Sequence, residues 1–224
     1  MVDYMKKYKI LFIGNSYTYY NDMPDILSGI AASVGYEAEV CAITKGGEKL
    51  LGHVYMDGET YPRIKETLEQ SRFDFAVLQE QSLRPMLDPE LFFEGGMKLS
   101  ALISGRVDNI VLYATWARRW DSEFFGDHPM KTSEMTERLD SAYSHLGELI
   151  GARVAHVGRA FERVGSDRLY ADDASHPSYS GSCLAALILF RAIFDVSDDV
   201  IMTLPRIGEL SAAESEIIKK AALS

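Results

Sequence analysis

The chain has 224 residues, of which 47% are hydrophobic and 25% charged, and this composition is typical of a globular protein with a sizeable core, so disorder as the main state is excluded. Its 33 acidic and 23 basic residues leave a formal charge of −10 at pH 7, and a surface of that sign repels phosphate backbones and anionic lipid headgroups. We therefore expect neither a nucleic-acid partner nor a membrane partner.

The apolar runs and the cysteines argue against a membrane-spanning protein and against a metal site. The longest apolar run, residues 183–190, is far shorter than the roughly 20 residues that a membrane-spanning helix needs. No leader is evident at the N-terminus, which predicts a cytoplasmic location. Cys41 and Cys183 have no Cys or His at metal-ligand spacing. We expect both to be reduced, buried thiols and expect no metal site.

Apolar periodicity predicts strands that alternate with helices. Residues 10–13 form a continuous apolar run that ends at Gly14, which is typical of a strand buried on both faces of a parallel sheet. The next segment has apolar residues at helical spacing from Met23 to Val34, with Asn21 or Asp22 available as the N-cap. The remaining predicted elements are a strand at 38–43, a helix at 61–68, a strand at 73–78, a helix at 89–103, a strand at 110–114, an irregular stretch at about 115–129, a helix at 135–150, a strand at 153–157, a helix at 184–194 and a last helix that opens at Ser211 with Glu214 completing a capping box.

This order predicts an α/β protein with a five-stranded parallel sheet covered by helices on both faces. We find no internal repeat, low-complexity tract or linker, so residues 1–224 are expected to form a single domain. In such a sheet the ligand site lies beyond the carboxyl ends of the strands. The segments at those positions are polar: residues 14–18, 44–47, 79–82, 115–120 and, later in the chain, 172–178.

Three of these polar residues have the chemistry of a nucleophilic site. Ser16 lies at a strand-to-helix turn, and a serine becomes nucleophilic when an imidazole accepts its proton and an acid orients that imidazole. His176 follows Asp173 by three residues, so that one loop can present both groups; Asp172 is the reserve candidate for the acid. His53, His128, His145 and His156 lack this context.

A nucleophilic serine that attacks a carbonyl group also needs donors for the resulting oxyanion. The backbone N–H of Ser16 and that of Gly46 or Gly47 are candidates, since the glycine pair permits close approach of the backbone. The side-chain amide of Gln79 or Gln81 is the candidate for the third donor.

These blocks resemble the SGNH/GDSL family of serine hydrolases. Gly14-Asn15-Ser16 is similar to the family's Gly-Asp-Ser block, Gly46 or Gly47 matches its second block, and Asp173-Ala174-Ser175-His176 matches its Asp-x-x-His block. The resemblance spans about residues 9–194. It implies a flavodoxin-like three-layer α/β/α sandwich, a serine esterase with a Ser16–His176–Asp173 triad and an acyl-enzyme, and no metal or organic cofactor.

Two blocks depart from the family pattern. Asn15 replaces the usual aspartate, and asparagine can make similar turn hydrogen bonds. Gln79-Glu80-Gln81-Ser82 stands where the family has Gly-x-Asn-Asp. A third block with glutamine resembles the carbohydrate acetylesterase branches, which points to O-acetyl groups on sugars as the substrate.

The candidate substrate-binding residues are Asn15, Tyr17, Trp116 and Arg118. Trp116 and Arg118, with Arg119 and Trp120, can form a pocket rim that stacks on sugars or holds a carboxylate, or they can pack and ion-pair within the loop. The alternative function is an impaired hydrolase that binds a glycan or acyl ligand without turnover. Flavin or nucleotide binding is disfavoured because no Gly-x-Gly-x-x-Gly or Walker-type segment is present.

Overall fold

A computed structural model describes residues 6–223, and its centre is one five-stranded sheet in the order β2-β1-β3-β4-β5. Each pair of neighbouring strands is parallel. The strands are β1 (Lys6–Gly14), β2 (Tyr36–Thr44), β3 (Phe73–Leu78), β4 (Val107–Ala114) and β5 (Arg153–His156). The chain runs from β1 to β2 on one side and then crosses to β3 on the other side of β1. The direction of winding therefore reverses at β1, and ligands bind at such a point in open α/β sheets.

Helices connect the strands and cover the sheet. The helices are α1 (Ser16–Tyr19), α2 (Met23–Ser33), α3 (Thr60–Gln70), α4 (Arg84–Leu87), α5 (Pro89–Ile103), α6 (Phe124–Asp127), α7 (Thr132–Ile150), α8 (Val157–Val164), α9 (Tyr179–Phe194), α10 (Asp198–Thr203) and α11 (Ala212–Ala221).

Alternate residues of each strand build a separate core on each face of the sheet. On β1, Ile10 and Phe12 pack into a cluster with α2, α8, α9 and α11, whereas Leu11 and Ile13 pack into a second cluster with α3, α5 and α7. All four side chains are fully buried, as the period of two in a strand requires when both faces are covered. The predicted flavodoxin-like three-layer α/β/α sandwich with a five-stranded parallel sheet is confirmed.

The predicted elements differ from the observed ones mainly at their ends. The strand predicted at 73–78 and the helix predicted at 89–103 have the observed bounds, and Ser211 and Glu214 form the predicted capping box. β1 and β4 begin several residues before their apolar runs. The first residues of each strand are exposed or partly exposed, so an apolar run does not mark them. Val157, predicted as the last residue of a strand, instead begins α8. The stretch predicted as irregular contains α6.

The two cysteines are free, and Cys183 is buried as expected. Cys41 is only half-buried, contrary to the prediction, because β2 is an edge strand with a partly open face. Within residues 6–223, no helix is long and apolar enough to cross a membrane.

Candidate active site

The turn after β1 presents Ser16 at the carboxyl edge of the sheet. Asn15 caps α1 by accepting a hydrogen bond from the Tyr17 N–H through Oδ1 at 3.1 Å. Its Nδ2 donates to the Glu48 carbonyl at 2.8 Å, which joins the turn to the segment after β2. Asn15 was predicted to bind substrate, but it is 2% exposed and its amide is used within the protein. Its observed contacts organise the turn.

Ser16, His176 and Asp173 form a continuous chain of hydrogen bonds. The Ser16 Oγ lies 2.8 Å from His176 Nε2, and His176 Nδ1 lies 2.5 Å from Asp173 Oδ2. A carboxylate only accepts, so Nδ1 carries the ring proton and Nε2 is left to accept from the serine. Burial raises the pKa of Asp173, but hydrogen bonds from the His176 ring and from the N–H groups of His176 and Ser175 outweigh it and leave the pKa below its ordinary value. Asp173 is therefore the acid that contacts the imidazole.

Residues next to the serine hold the imidazole in place. The Tyr20 ring stacks on the His176 ring with the centroids 4.3 Å apart. The Asn21 Nδ2 donates to the Pro177 carbonyl and to the Ser182 Oγ. Asn21 was a candidate N-cap for α2, but its side chain instead contacts the segment that follows His176. The turn that carries Ser16 therefore also positions the His176 ring.

Gln79 packs beneath the nucleophile turn. Its Oε1 accepts from the Asn15 N–H and from the Thr18 hydroxyl, both at 2.9 Å, and its Nε2 donates to the Glu80 carbonyl. A Cβ on Gly14 would lie 2.7 Å from this Oε1, so only glycine leaves room for the amide. Gln79 was predicted to donate to the oxyanion, but it is fully buried and these bonds join the turn to the end of β3.

The side chain of Gln81 also has partners within its own loop. Its Oε1 accepts from the N–H groups of Leu83 and Arg84, at 3.0 and 3.1 Å, so it caps α4. Its Nε2 lies 3.5 Å from the Ser82 Oγ. The Oε1 atoms of both glutamines therefore support the backbone of neighbouring turns, whereas only Gln79 also has its Nε2 bonded to the backbone.

Three backbone N–H groups on two neighbouring turns are not hydrogen-bonded within the described part of the chain. Among residues 6–223, the N–H groups of Ser16, Gly46 and Gly47 have no acceptor. Gly46 and Gly47 lie in a turn closed by the Glu48 N–H and the Lys45 carbonyl, and Gly47 has φ +66°, which favours glycine. This turn leaves the sheet directly beside the nucleophile turn, since Gly14 pairs with Thr44.

His53 is a buried histidine that supports the same region, and its sequence context did not predict a role. Its Nε2 lies 3.2 Å from the Gly14 carbonyl and its Nδ1 lies 2.9 Å from the Thr60 Oγ1. Burial lowers the pKa of His53 to about 4, so the ring is neutral at pH 7. Because a carbonyl only accepts, Nε2 carries the proton and the Thr60 hydroxyl donates to Nδ1.

Trp116 and Tyr17 are core residues, contrary to the prediction that they bind substrate. The indole of Trp116 is 1% exposed, and its two faces are covered by Tyr17, at 4.6 Å between centroids, and by Phe161, at 4.1 Å. Its N–H donates to the Ser175 carbonyl. No face is left on which a sugar could stack, so the indole positions the loop before His176. Arg118, in contrast, is only partly buried, and its Nη1 donates to the Tyr17 hydroxyl.

Glu80 is a fully buried carboxyl between the third block and the segment after the glycine pair. It accepts from the Gln81 N–H at 2.6 Å and from the Leu50 N–H at 3.3 Å. Burial raises the pKa of Glu80 to about 7, although these two N–H groups act in the opposite direction. Glu80 therefore takes up a proton near neutral pH while it joins two loops of the site.

We expect the difference in free energy of unfolding between Glu80→Gln and wild type to shift in favour of the variant as the pH rises from 5 to 8. The folded carboxyl binds a proton up to about pH 7, and the unfolded one only to about pH 4.5. Wild type therefore loses stability as the pH rises through this window, by about 2–3 kcal/mol. Urea unfolding at both pH values measures the difference. Glu69→Gln, at an exposed carboxyl on α3, is the control, and an equal effect of Glu80→Gln at both pH values would contradict the assignment.

Comparison with solved structures identifies the family. A candidate SGNH hydrolase from Slackia heliotrinireducens is 31% identical to this chain, with a TM-score of 0.77 and coverage of 84% of this chain and 100% of that one. The chain belongs to the SGNH hydrolase family. A DUF4886 family protein from Bacteroides uniformis has a TM-score of 0.79 at 19% identity, covering 97% of this chain and 93% of that one. Axe2, an acetylxylan esterase from Geobacillus stearothermophilus, has a TM-score of 0.58 at 17% identity, covering 85% of this chain and 96% of that one.

No protein-family model matches this SGNH-family chain, and no curated protein matches it. Within residues 6–223, no group of three or more His, Cys, Asp and Glu side chains is arranged to hold a metal ion.

Proposed function

We propose that this SGNH-family protein is a serine esterase that hydrolyses a carboxylic ester through an acyl-enzyme. The observation that carries the proposal is the chain of contacts from the Ser16 Oγ through the His176 ring to Asp173, with separations of 2.8 and 2.5 Å. These are the distances over which an imidazole accepts a proton from a hydroxyl and a carboxylate orients the imidazole.

In the first half-reaction, the Ser16 Oγ attacks the ester carbonyl carbon while its proton passes to His176 Nε2. The tetrahedral oxyanion collapses, and His176 returns the proton to the departing alcohol oxygen as the carbon–oxygen bond breaks. In the second half-reaction, water attacks the acyl-serine, His176 accepts a proton from the water, and Ser16 leaves as the protonated hydroxyl. Asp173 stays ionised and stabilises the imidazolium. No step requires a cofactor.

For the oxyanion we propose backbone donors: the N–H of Ser16 and the N–H of Gly46 or Gly47. Support comes from the lack of an acceptor for these groups among residues 6–223 and from their place on neighbouring turns. Gln79 is assigned a supporting role, since its Oε1 accepts from the Asn15 N–H and its Nε2 donates to the Glu80 carbonyl. The Nε2 of Gln81 stays the candidate for a third donor, because only the Oε1 of that amide is engaged with the backbone. Gln79 then positions the nucleophile and does not contact the oxyanion.

We propose O-acetyl groups on carbohydrate as the substrate class. The support is the fold shared with an acetylxylan esterase and the glutamine-containing third block.

Labelling with a fluorophosphonate, a reagent that phosphonylates activated serines, tests the proposed function. We expect a single adduct, located on Ser16 by peptide mass spectrometry. His176→Ala should remove the labelling, because no group then accepts the serine proton. A folded protein that is unlabelled, or labelled at another serine, would contradict the proposal and favour a binding protein on the same fold.

A further inference from the structure

The guanidinium of Arg118 lies among three loops of the site. Its Nη1 donates to the Tyr17 hydroxyl at 3.1 Å, and its Nη2 donates to the Ser82 Oγ at 2.9 Å. The Tyr17 hydroxyl in turn lies 2.7 Å from the Oγ of Ser175, the residue before His176. Arg118 is therefore held beside the turn of the nucleophile and beside the loop of the base.

This arginine has no acidic partner. Among residues 6–223, no carboxylate lies within 4.0 Å of its guanidinium, and its contacts are neutral hydroxyls. The chain carries 33 acidic residues, and the neighbouring Arg119 pairs with Asp121 at 2.6 Å. A partly buried cation without a counterion is electrostatically costly, unless a ligand supplies the charge.

Part of the guanidinium also faces the solvent. The Nε of Arg118 has no acceptor among the described residues and is not one of the buried atoms that lack a partner, so solvent reaches it. An arginine has five N–H donors, and two of them are used here. The open donors match the two oxygens of a carboxylate, which accepts side by side from a guanidinium.

We propose that Arg118 forms an anion-binding subsite beside Ser16, and that the ester hydrolysed there carries a carboxylate. This inference rests on the proposed esterase function and specifies its substrate class. A single guanidinium balances a monoanion, whereas a phosphate dianion would leave uncompensated charge in a protein of net charge −10. Arg118 thus selects the substrate and leaves the triad to carry out the chemistry.

Matched pairs of esters that differ only in charge test the subsite. The first pair is 4-acetoxybenzoate and its methyl ester, which differ in the alcohol part. The second pair is 4-nitrophenyl hydrogen adipate and its methyl ester, which differ in the acyl part. For wild type we expect kcat/KM to favour the anion roughly 10- to 100-fold in one of the two pairs. A preference in the first pair agrees with an acetyl group as the acyl part, whereas a preference in the second pair supports the subsite but replaces the proposed acetyl group by an acyl group that carries the carboxylate.

Arg118→Gln should reduce this preference to about 1, and Arg119→Gln, at the neighbouring arginine that is already paired, should keep it. Calorimetric binding of two amides, 4-acetamidobenzoate with its charge in the part equivalent to the alcohol and 6-(methylamino)-6-oxohexanoate with its charge in the acyl part, is compared with binding of their methyl esters and provides a readout that needs no turnover. If the anion binds more tightly than its methyl ester, if Arg118→Gln abolishes that difference, and if no ester is hydrolysed, the subsite is supported and the esterase function is rejected. If the esters are hydrolysed but neither kinetics nor binding shows a preference for the anion in either pair, the subsite proposal is wrong and the esterase proposal is kept.

Discussion

Ser16→Ala is expected to lower kcat/KM for 4-nitrophenyl acetate by roughly 10⁴- to 10⁶-fold. Alanine keeps the backbone N–H at position 16 but removes the oxygen that lies 2.8 Å from His176 Nε2, so no acyl-enzyme can form. The remaining rate would come from binding and from backbone donors alone. Nitrophenolate release, followed by absorbance in both proteins at equal concentration, measures the loss.

The matched control for this change is Ser141→Ala, at an exposed serine on α7, which should keep the wild-type rate. Circular dichroism and urea unfolding of all three proteins separate loss of the nucleophile from loss of the fold. Substantial turnover by a folded Ser16→Ala protein would overturn the proposed mechanism.

Asp173→Asn is expected to have the second-largest effect, a loss of roughly 10³- to 10⁴-fold in kcat. The Asp173 carboxylate only accepts, so it keeps the ring proton on His176 Nδ1. An asparagine amide can donate to Nδ1, which moves the proton to Nε2 and blocks transfer from Ser16. Because Asp173 acts through His176, the rate of fluorophosphonate labelling should fall in parallel with kcat while KM changes little.

Asp172→Asn is the control for the acid. Asp172 is adjacent in the chain and exposed, and no hydrogen bond or ion pair within 4.0 Å joins it to His176 among the described residues. We expect this variant to keep the wild-type kcat. An equal loss in both variants would mean that the general charge of the loop matters and not the contact with the imidazole.

Local patterns were enough to predict the sheet and the main contacts of the site. The unbroken apolar run at 73–78 has the observed bounds of β3, because a strand buried on both faces leaves no ambiguity of period. Asp173 and His176 are three residues apart, so one loop brings them together whatever the rest of the fold does. The position of Ser16 after an apolar strand placed it at the carboxyl edge.

Residues whose roles depend on distant partners could not be predicted in this way. Trp116 is buried because Phe161, from α8, covers one face of its ring, and sequence spacing does not reveal that contact. Gln79 is turned towards Asn15 and Thr18 because Gly14 leaves a space for its amide. The lack of a counterion at Arg118 depends on where the acidic side chains lie in the folded protein, and the sequence alone does not give their positions.

The hydrogen bond between Ser16 and His176 joins residues 160 positions apart. Ser16 follows the first strand of the sheet, and His176 precedes α9, which comes after all five strands in the chain and packs in the same core cluster as α2. Contacts of such long range close late, since the loop entropy between them has to be overcome first. A nascent or truncated molecule that lacks residues 169–224 carries Ser16 but lacks His176, so the proposed hydrolysis requires that segment to be made and folded.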